Sequence, residues 1–229
     1  MDSAANLIRS RIFDGLTDVE RRHWLDASER VEVRRGQALT RQGEPAQALH
    51  LVESGLLKLT QLTAEGQQLI VRVVCPGDPF GGVAVLDHAK SPVTALAVET
   101  TRLRAWRREA LMGLFASTPA VRLNLMREMA DHMNDALTRV RALTTERVGQ
   151  RLAHTLLRLM RQCGRETPDG VVIAHALTRQ ELAELVGTTL YTVSRTMAEW
   201  ESEGVLRSSR RELVVRSARR LEALARAVD

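Results

Sequence analysis

The spacing of hydrophobic positions changes several times along the 229 residues, and each change marks an element. Residues 1 to about 28 read as a helical lead with Leu7, Ile8, Ile12, Phe13 and Leu16 as its apolar positions. Thr17 is placed to cap a helix running through Leu25, with Trp24 and Leu25 inward. From Arg30 to Trp106 the apolar runs become short or alternating: Val31–Val33, Leu49–Val52, Leu56–Leu62, Leu69–Val74, Val93–Val98 and Arg102–Trp106. Glycines at 36, 43, 55, 66 and 77 punctuate them, the last four spaced 12, 11 and 11 residues apart. Short strands at that spacing predict an all-β barrel or sandwich. No side-chain repeat accompanies the glycines.

The period then turns helical. Pro119 to about Thr145 reads as one long helix on which Met126, Met129, Met133, Ala136, Val140 and Leu143 take alternating a and d positions. So narrow a seam predicts a parallel coiled-coil dimer; the competing reading is a helix packed on its own barrel. Arg147 to Met160 continues as helix with Leu152, Leu156 and Leu159 inward. Gly164 to Gly170 reads as a polar loop with Pro168, and Val171–Ile173 as a short strand.

The stretch from Leu177 to Arg216 carries the most specific pattern. Thr178 and Glu181 form a capping box, with Leu177 and Leu182 placed as its hydrophobic staple. A helix therefore starts at Arg179, buries Leu182, Leu185 and Val186, and ends at Gly187. Thr188 and Thr189 offer the N-cap of a second helix, which buries Val193, Met197 and Trp200 and ends at Gly204. Tyr191, Ser194, Arg195 and Ala198 fall on its other face. Two helices joined by a turn of about three residues containing Gly make a DNA-binding helix-turn-helix. Arg195 suits the O6 and N7 acceptors of a guanine, and Leu190 a thymine methyl group. Tyr191 and Ser194 offer hydroxyls to bases or phosphates, and the helix N-terminus at Thr188 and Thr189 favours a phosphate. Arg179, at the first helical position, joins this set. Val205-Leu206 and Leu213–Val215 flank a basic tip holding Arg210 and Arg211, a wing suited to phosphate. Ser217 to Val228 closes the chain as a capped helix with Leu221, Leu224 and Ala225 on one side.

Charge agrees with that reading. The net charge is +5, and between Arg147 and Asp229 fourteen Arg and no Lys stand against ten Asp plus Glu. The positive excess thus sits with the helix-turn-helix and suits double-stranded DNA. No uncharged run has the ~18 residues a membrane helix needs, and the N-terminus lacks an apolar signal core, so no membrane partner and a cytoplasmic location are expected. Two cysteines, Cys75 and Cys163, make no disulfide framework. No metal motif, nucleophile elbow or phosphate loop appears, and His154, Cys163 and His175 are too scattered for a site, so an enzyme is not expected.

Taken together, the chain resembles the CRP/FNR transcription regulators. The residues that carry the resemblance are Leu177–Ala183, Thr192–Arg195 and Pro76–Gly81. It implies an α+β fold: an N-terminal β-roll, a jelly-roll-like double-stranded barrel, over 1–116, a dimerisation helix over 117–146, and a C-terminal winged helix-turn-helix over 147–229. It also implies a homodimer on a pseudo-palindromic operator, an effector in the β-roll, and contact with RNA polymerase. The resemblance directs attention to Phe80, Gly81, Gly82, Val83, Lys90, Ser91, Thr94 and Met133 as the effector pocket.

Two departures stand out. Relatives often carry Glu where this chain has Tyr191, which alters the preference at the base beside the guanine. Cyclic-nucleotide binders follow Phe-Gly with Glu-Leu and later an Arg beside a small hydroxyl residue. Here Gly82-Val83 follows Phe80-Gly81, and residues 90–95 contain no Arg. Lys90 supplies a point charge but no bidentate clamp, so cyclic AMP is disfavoured. An iron–sulfur cluster is excluded because it needs about four thiolates. Haem is the alternative effector reading, with His50, His88, His132 and Cys75 as candidate axial ligands.

Overall fold

Trp24 and Trp106 fix the first unit of the molecule, and the elements around them follow from that packing. The computed structural model describes residues 10–174, 177–209 and 212–226. A 3₁₀ turn at Arg11–Phe13 buries Ile12 and Phe13, and helix α1 (Asp18–Asp26) follows. Thr17 caps α1 as the sequence predicts, since its hydroxyl accepts from Glu20 N while the Glu20 carboxylate accepts from Thr17 N. Phe13, Trp24, Trp106 and Phe115 meet edge-on or tilted at centroid separations of 5.8 to 6.4 Å, and Trp106 Nε1 donates to Trp24 O at 2.7 Å.

Two four-stranded antiparallel sheets build the β-roll. One runs in the order β1 (Glu29–Val33), β8 (Thr101–Arg107), β3 (Ala48–Ser54), β6 (Pro79–Phe80). The other runs β2 (Ala38–Thr40), β7 (Thr94–Ala97), β4 (Leu57–Leu62), β5 (Gln68–Val74). Alternation along β3 explains the two cores. Leu49 and Leu51 join the aromatic cluster, while Val52 packs with Leu57, Leu59, Val74 and Leu103 in the other. Gly55 is required where it stands: with φ +92° its backbone lies so close to Thr101 that a Cβ would come 2.6 Å from Thr101 Cα. Helices α2 (Gly82–Leu86) and α3 (Arg108–Ser117) were not legible in the periodicity; α3 buries Leu111, Leu114 and Phe115.

Helix α4 (Pro119–Thr145) is the long helix expected. The division between the two compact units falls inside it, after Asp135. Within the first unit, Val121, Asn124 and Glu128 are buried, and Asn124 Nδ2 donates to Ile12 O and Asp14 O at 3.1 and 2.8 Å. The Met face is exposed: Met126 65%, Met133 63%, Val140 62%.

The second unit holds α5 (Val148–Cys163), a hairpin of β9 (Gly164–Thr167) and β10 (Gly170–Ala174), α6 (Arg179–Val186), α7 (Leu190–Ser202), β11 (Leu206–Ser208), β12 (Glu212–Val215) and α8 (Ala218–Arg226). The polar loop expected at Gly164–Gly170 is instead strand β9 and a tight turn. β9 is exposed on nearly every residue, so it carries no hydrophobic alternation to betray it, and backbone pairing to β10 is what orders it. The sheet order is β11-β12-β10-β9.

Candidate functional site

The helix-turn-helix forms residue by residue as its caps dictate. Thr178 Oγ1 accepts from Glu181 N at 3.1 Å, and Glu181 Oε2 accepts from Thr178 N at 2.8 Å. Leu177 and Leu182 are both buried. Gly187 ends α6 in the left-handed region at φ 72°. Thr189, rather than Thr188, caps α7: its hydroxyl accepts from Thr192 N at 3.2 Å. Val193, Met197 and Trp200 are buried at 0%, 2% and 4% exposure and lock the roll of α7 about its axis.

That roll decides what faces outward. Leu190 is 46% and Tyr191 74% exposed; Arg195 and Ala198 are exposed and Ser194 half-buried. Among the described residues, the side chains of Tyr191, Ser194 and Arg195 make no hydrogen bond or ion pair. The face is therefore a row of polar groups aimed at solvent from a rigid helix. Arg179 behaves differently. Its guanidinium lies 3.4 Å from Glu201 and 3.4 Å from Ser208 Oγ, and Glu201 also accepts from Ser208 N at 3.1 Å. Arg179 thus ties the start of α6 to the end of α7 and to the wing. Buried Leu206, Leu213, Val214 and Val215 hold the wing, which Ser209 N→Glu212 O at 2.8 Å narrows towards its tip. Arg210 and Arg211 lie outside the described residues.

Sequence reasoning missed the groups that brace the turn. Arg139 Nη2 donates to Leu185 O at 3.0 Å, and Arg151 donates to Val186 O at 3.2 Å and to Glu146 O at 2.7 Å. These arginines satisfy carbonyls that the end of α6 leaves without intrahelical donors. Leu143, placed in the seam by its heptad position, also stands at the turn, since a Cβ on Gly187 would lie 3.0 Å from Leu143 Cδ2. No single-sequence signal marks an arginine whose acceptors are backbone atoms some forty residues away.

The expected effector residues occupy one ribbon of the β-roll. Phe80 is buried and stacks on His50 with centroids 4.8 Å apart and planes 16° from parallel. Gly81, at φ 87°, precedes α2, in which Gly82 and Val83 take the first positions. Lys90 is exposed and bridges Pro45 through its backbone. Ser91 Oγ donates to Val93 O at 2.7 Å and Thr94 Oγ1 accepts from Gln42 N at 3.0 Å. Both hydroxyls are thus engaged in shaping the loop. Met133 is exposed on α4.

The cavity nearest this ribbon, about 300 Å³, is lined instead by Val31, Leu39, Ala48, His50 and Ala105, with Glu29, Glu44 and Arg107 at its rim. Of the haem candidates, His50 and Cys75 are buried and His88 is exposed. His132 lies 3.3 Å from Arg72 Nη1, and burial followed by that guanidinium pushes its pKa down to about 4. No group of three or more His, Cys, Asp or Glu positioned to hold a metal occurs among the described residues. No helix among them is long and apolar enough to cross a membrane.

Residues 30–118 match the cyclic nucleotide-binding domain and residues 150–224 the Crp-like helix-turn-helix domain. The chain is 33% identical over 216 residues to the cyclic AMP receptor protein of Thermus thermophilus, covering 94% of this chain and 97% of that one. It is 28% identical over 193 residues to the transcriptional activator protein Anr of Pseudomonas aeruginosa, covering 84% and 79%. The solved structure of FixK2 from Bradyrhizobium japonicum shares its fold, with a TM-score of 0.77 at 24% identity over 88% of this chain and 99% of that one. With both domains matched in order and a relative of this identity along nearly its whole length, the chain belongs to the CRP/FNR family of DNA-binding transcription regulators.

Proposed function

We propose that the chain acts as a homodimer that reads a pseudo-palindromic operator with α7, under the control of a signal at the β-roll other than cyclic AMP. The observation that carries the DNA reading is the roll of α7. Its apolar side is anchored by Val193, Met197 and Trp200, and its outward side offers Tyr191, Ser194 and Arg195 without a partner among the described residues. Arg195 then reads a guanine, Tyr191 and Ser194 take bases or phosphates, and the cap at Thr188 and Thr189 meets the backbone. The wing, with Arg210 and Arg211, adds phosphate contacts. RNA polymerase is the further partner the family layout implies.

The Thermus relative is named a cyclic AMP receptor. Against the same ligand here stand Gly82 in the place of a ribose-binding Glu, the lack of Arg in residues 90–95, and the engagement of Ser91 and Thr94 hydroxyls in the loop. A haem-dependent gas sensor is the alternative. The cavity beside His50 speaks against it, since about 300 Å³ is the lower bound for ordinary small-molecule pockets.

Selection of binding sites from random DNA, followed by footprinting with and without cyclic AMP, tests the reading. The expected result is a protected two-fold symmetric site with half-site centres ~34 Å apart, unchanged by cyclic AMP. Uniform coverage of all sequences would overturn the operator reading. Binding that appears only with cyclic AMP would overturn the effector reading.

A further inference from the structure

We infer that the cavity inside the β-roll beside His50 is a binding site for a compact, uncharged organic molecule with an apolar body and one hydroxyl or N–H group. His50 sits on β3 between Ala105 of β8 and Phe80 of β6, so two neighbouring strands and a ring stack fix the imidazole. It is 5% exposed, and its Nδ1 is buried with no hydrogen-bond partner among the described residues. A buried polar atom left without a partner is uncommon in a native fold and calls for a reason. The adjoining space supplies one, because the ring forms part of the cavity wall.

The walls set the chemistry. Val31, Leu39, Ala48 and Ala105 are apolar and small enough to leave about 300 Å³ open, the size of a compact ligand. The imidazole offers one donor and one acceptor when neutral. Burial holds it in that form at neutral pH, its pKa pushed down to about 4. The rim does not favour an anion. Arg107 is taken by Glu29 at 2.7 Å, and Glu44, with Arg41 3.9 Å away, adds a carboxylate. This is a different place from the ribbon Phe80–Thr94, of whose residues none but Phe80 touches His50's ring by stacking. The binding claim stands whether or not the chain reads an operator.

The full chain, labelled with ¹⁵N-histidine, tests it by NMR at neutral pH, with the His50 signals assigned through His50→Phe. Benzyl alcohol is the uncharged probe and benzoate its anionic counterpart. The expected result is a saturable shift of the His50 signals with benzyl alcohol and a response to benzoate at least tenfold weaker. Ala105→Leu and, separately, Ala48→Leu fill the space, and each should abolish the shift while the other histidine signals keep their positions. His50 signals that stay fixed in benzyl alcohol overturn the proposal. So does an equal response to benzoate, or a shift that survives in either filled variant with its histidine spectrum intact.

Discussion

Arg195 and His50 are opposite cases of a polar side chain on a rigid element. Arg195 is held outward because Val193 and Met197 on the same helix are held inward, so its orientation costs no interaction of its own. Arg195→Ala should therefore leave the fold intact. It should cost ~1–3 kcal/mol of specific affinity and relax the preference at one base pair per half-site. Competition between the selected operator and single-base variants measures both, and a uniform loss across sequences would assign Arg195 to phosphate instead. His50 is inward and neutral. Its folded pKa is about 4 against an ordinary 6.5, so between those values the unfolded chain takes up a proton that the folded one refuses. Its contribution to stability is present at neutral pH and drains away as pH falls from above 6.5 towards 4. His50→Phe, which keeps a ring against Phe80, should reduce the stability lost between pH 7 and pH 4.5 by about 2 kcal/mol. Urea unfolding of both proteins at the two pH values checks it. His132, also pushed down to about 4, remains in both and cancels from the comparison.

At the scale of elements, what could be read from sequence was whatever one segment decides by itself. The capping boxes at Thr17 and Thr178, the stripe of α7 and the stop at Gly187 all depend on residues within a turn or two, and each appears as read. Strand β9 was missed because its order comes from pairing with β10 and leaves no apolar trace. The bracing of the α6 end by Arg139 and Arg151 was missed for a related reason: its acceptors are carbonyls, which every residue has. The cavity beside His50 is a gap between elements, so no run of residues encodes it. Gly187 is where local and non-local constraints meet. Its φ of 72° excludes a Cβ at low cost, and Leu143 closes the space from outside. Gly187→Ala should cost about 1–2 kcal/mol, the ordinary penalty for a left-handed L-residue. Gly187→Asn should cost less, because Asn tolerates that region. Urea midpoints at unchanged slope measure the difference; equal costs for the two variants would point to Leu143 rather than the backbone as the constraint.

At the scale of the whole molecule, the unsolved quantity of each protomer is its apolar seam. Met126, Met129, Met133, Leu137, Val140 and Leu143 are 46% to 65% exposed along a helix whose other face is committed to its own unit through Val121 and Asn124. Twenty-seven residues make a helix ~40 Å long, enough for several layers of knobs into holes. A second copy laid against it buries that row symmetrically and relates two α7 helices by one twofold axis, which is what a palindromic operator requires. Met133 is the discriminating position. At 63% exposure in the protomer it does little for the fold, so Met133→Glu should leave the circular dichroism spectrum and the unfolding midpoint of a dilute sample near those of the parent. In a dimer the same change sets two carboxylates facing each other in an apolar seam, where neither has a partner. Sedimentation should then show the parent at twice the chain mass and the variant at the mass of one chain. The variant should also lose its advantage for the full operator while binding a single half-site as the parent does, because the second contact is no longer tethered to the first. An unchanged mass would place the pairing surface elsewhere. A half-site affinity that fell with the dimer would show that α7 depends on the seam for its position and not only for its partner.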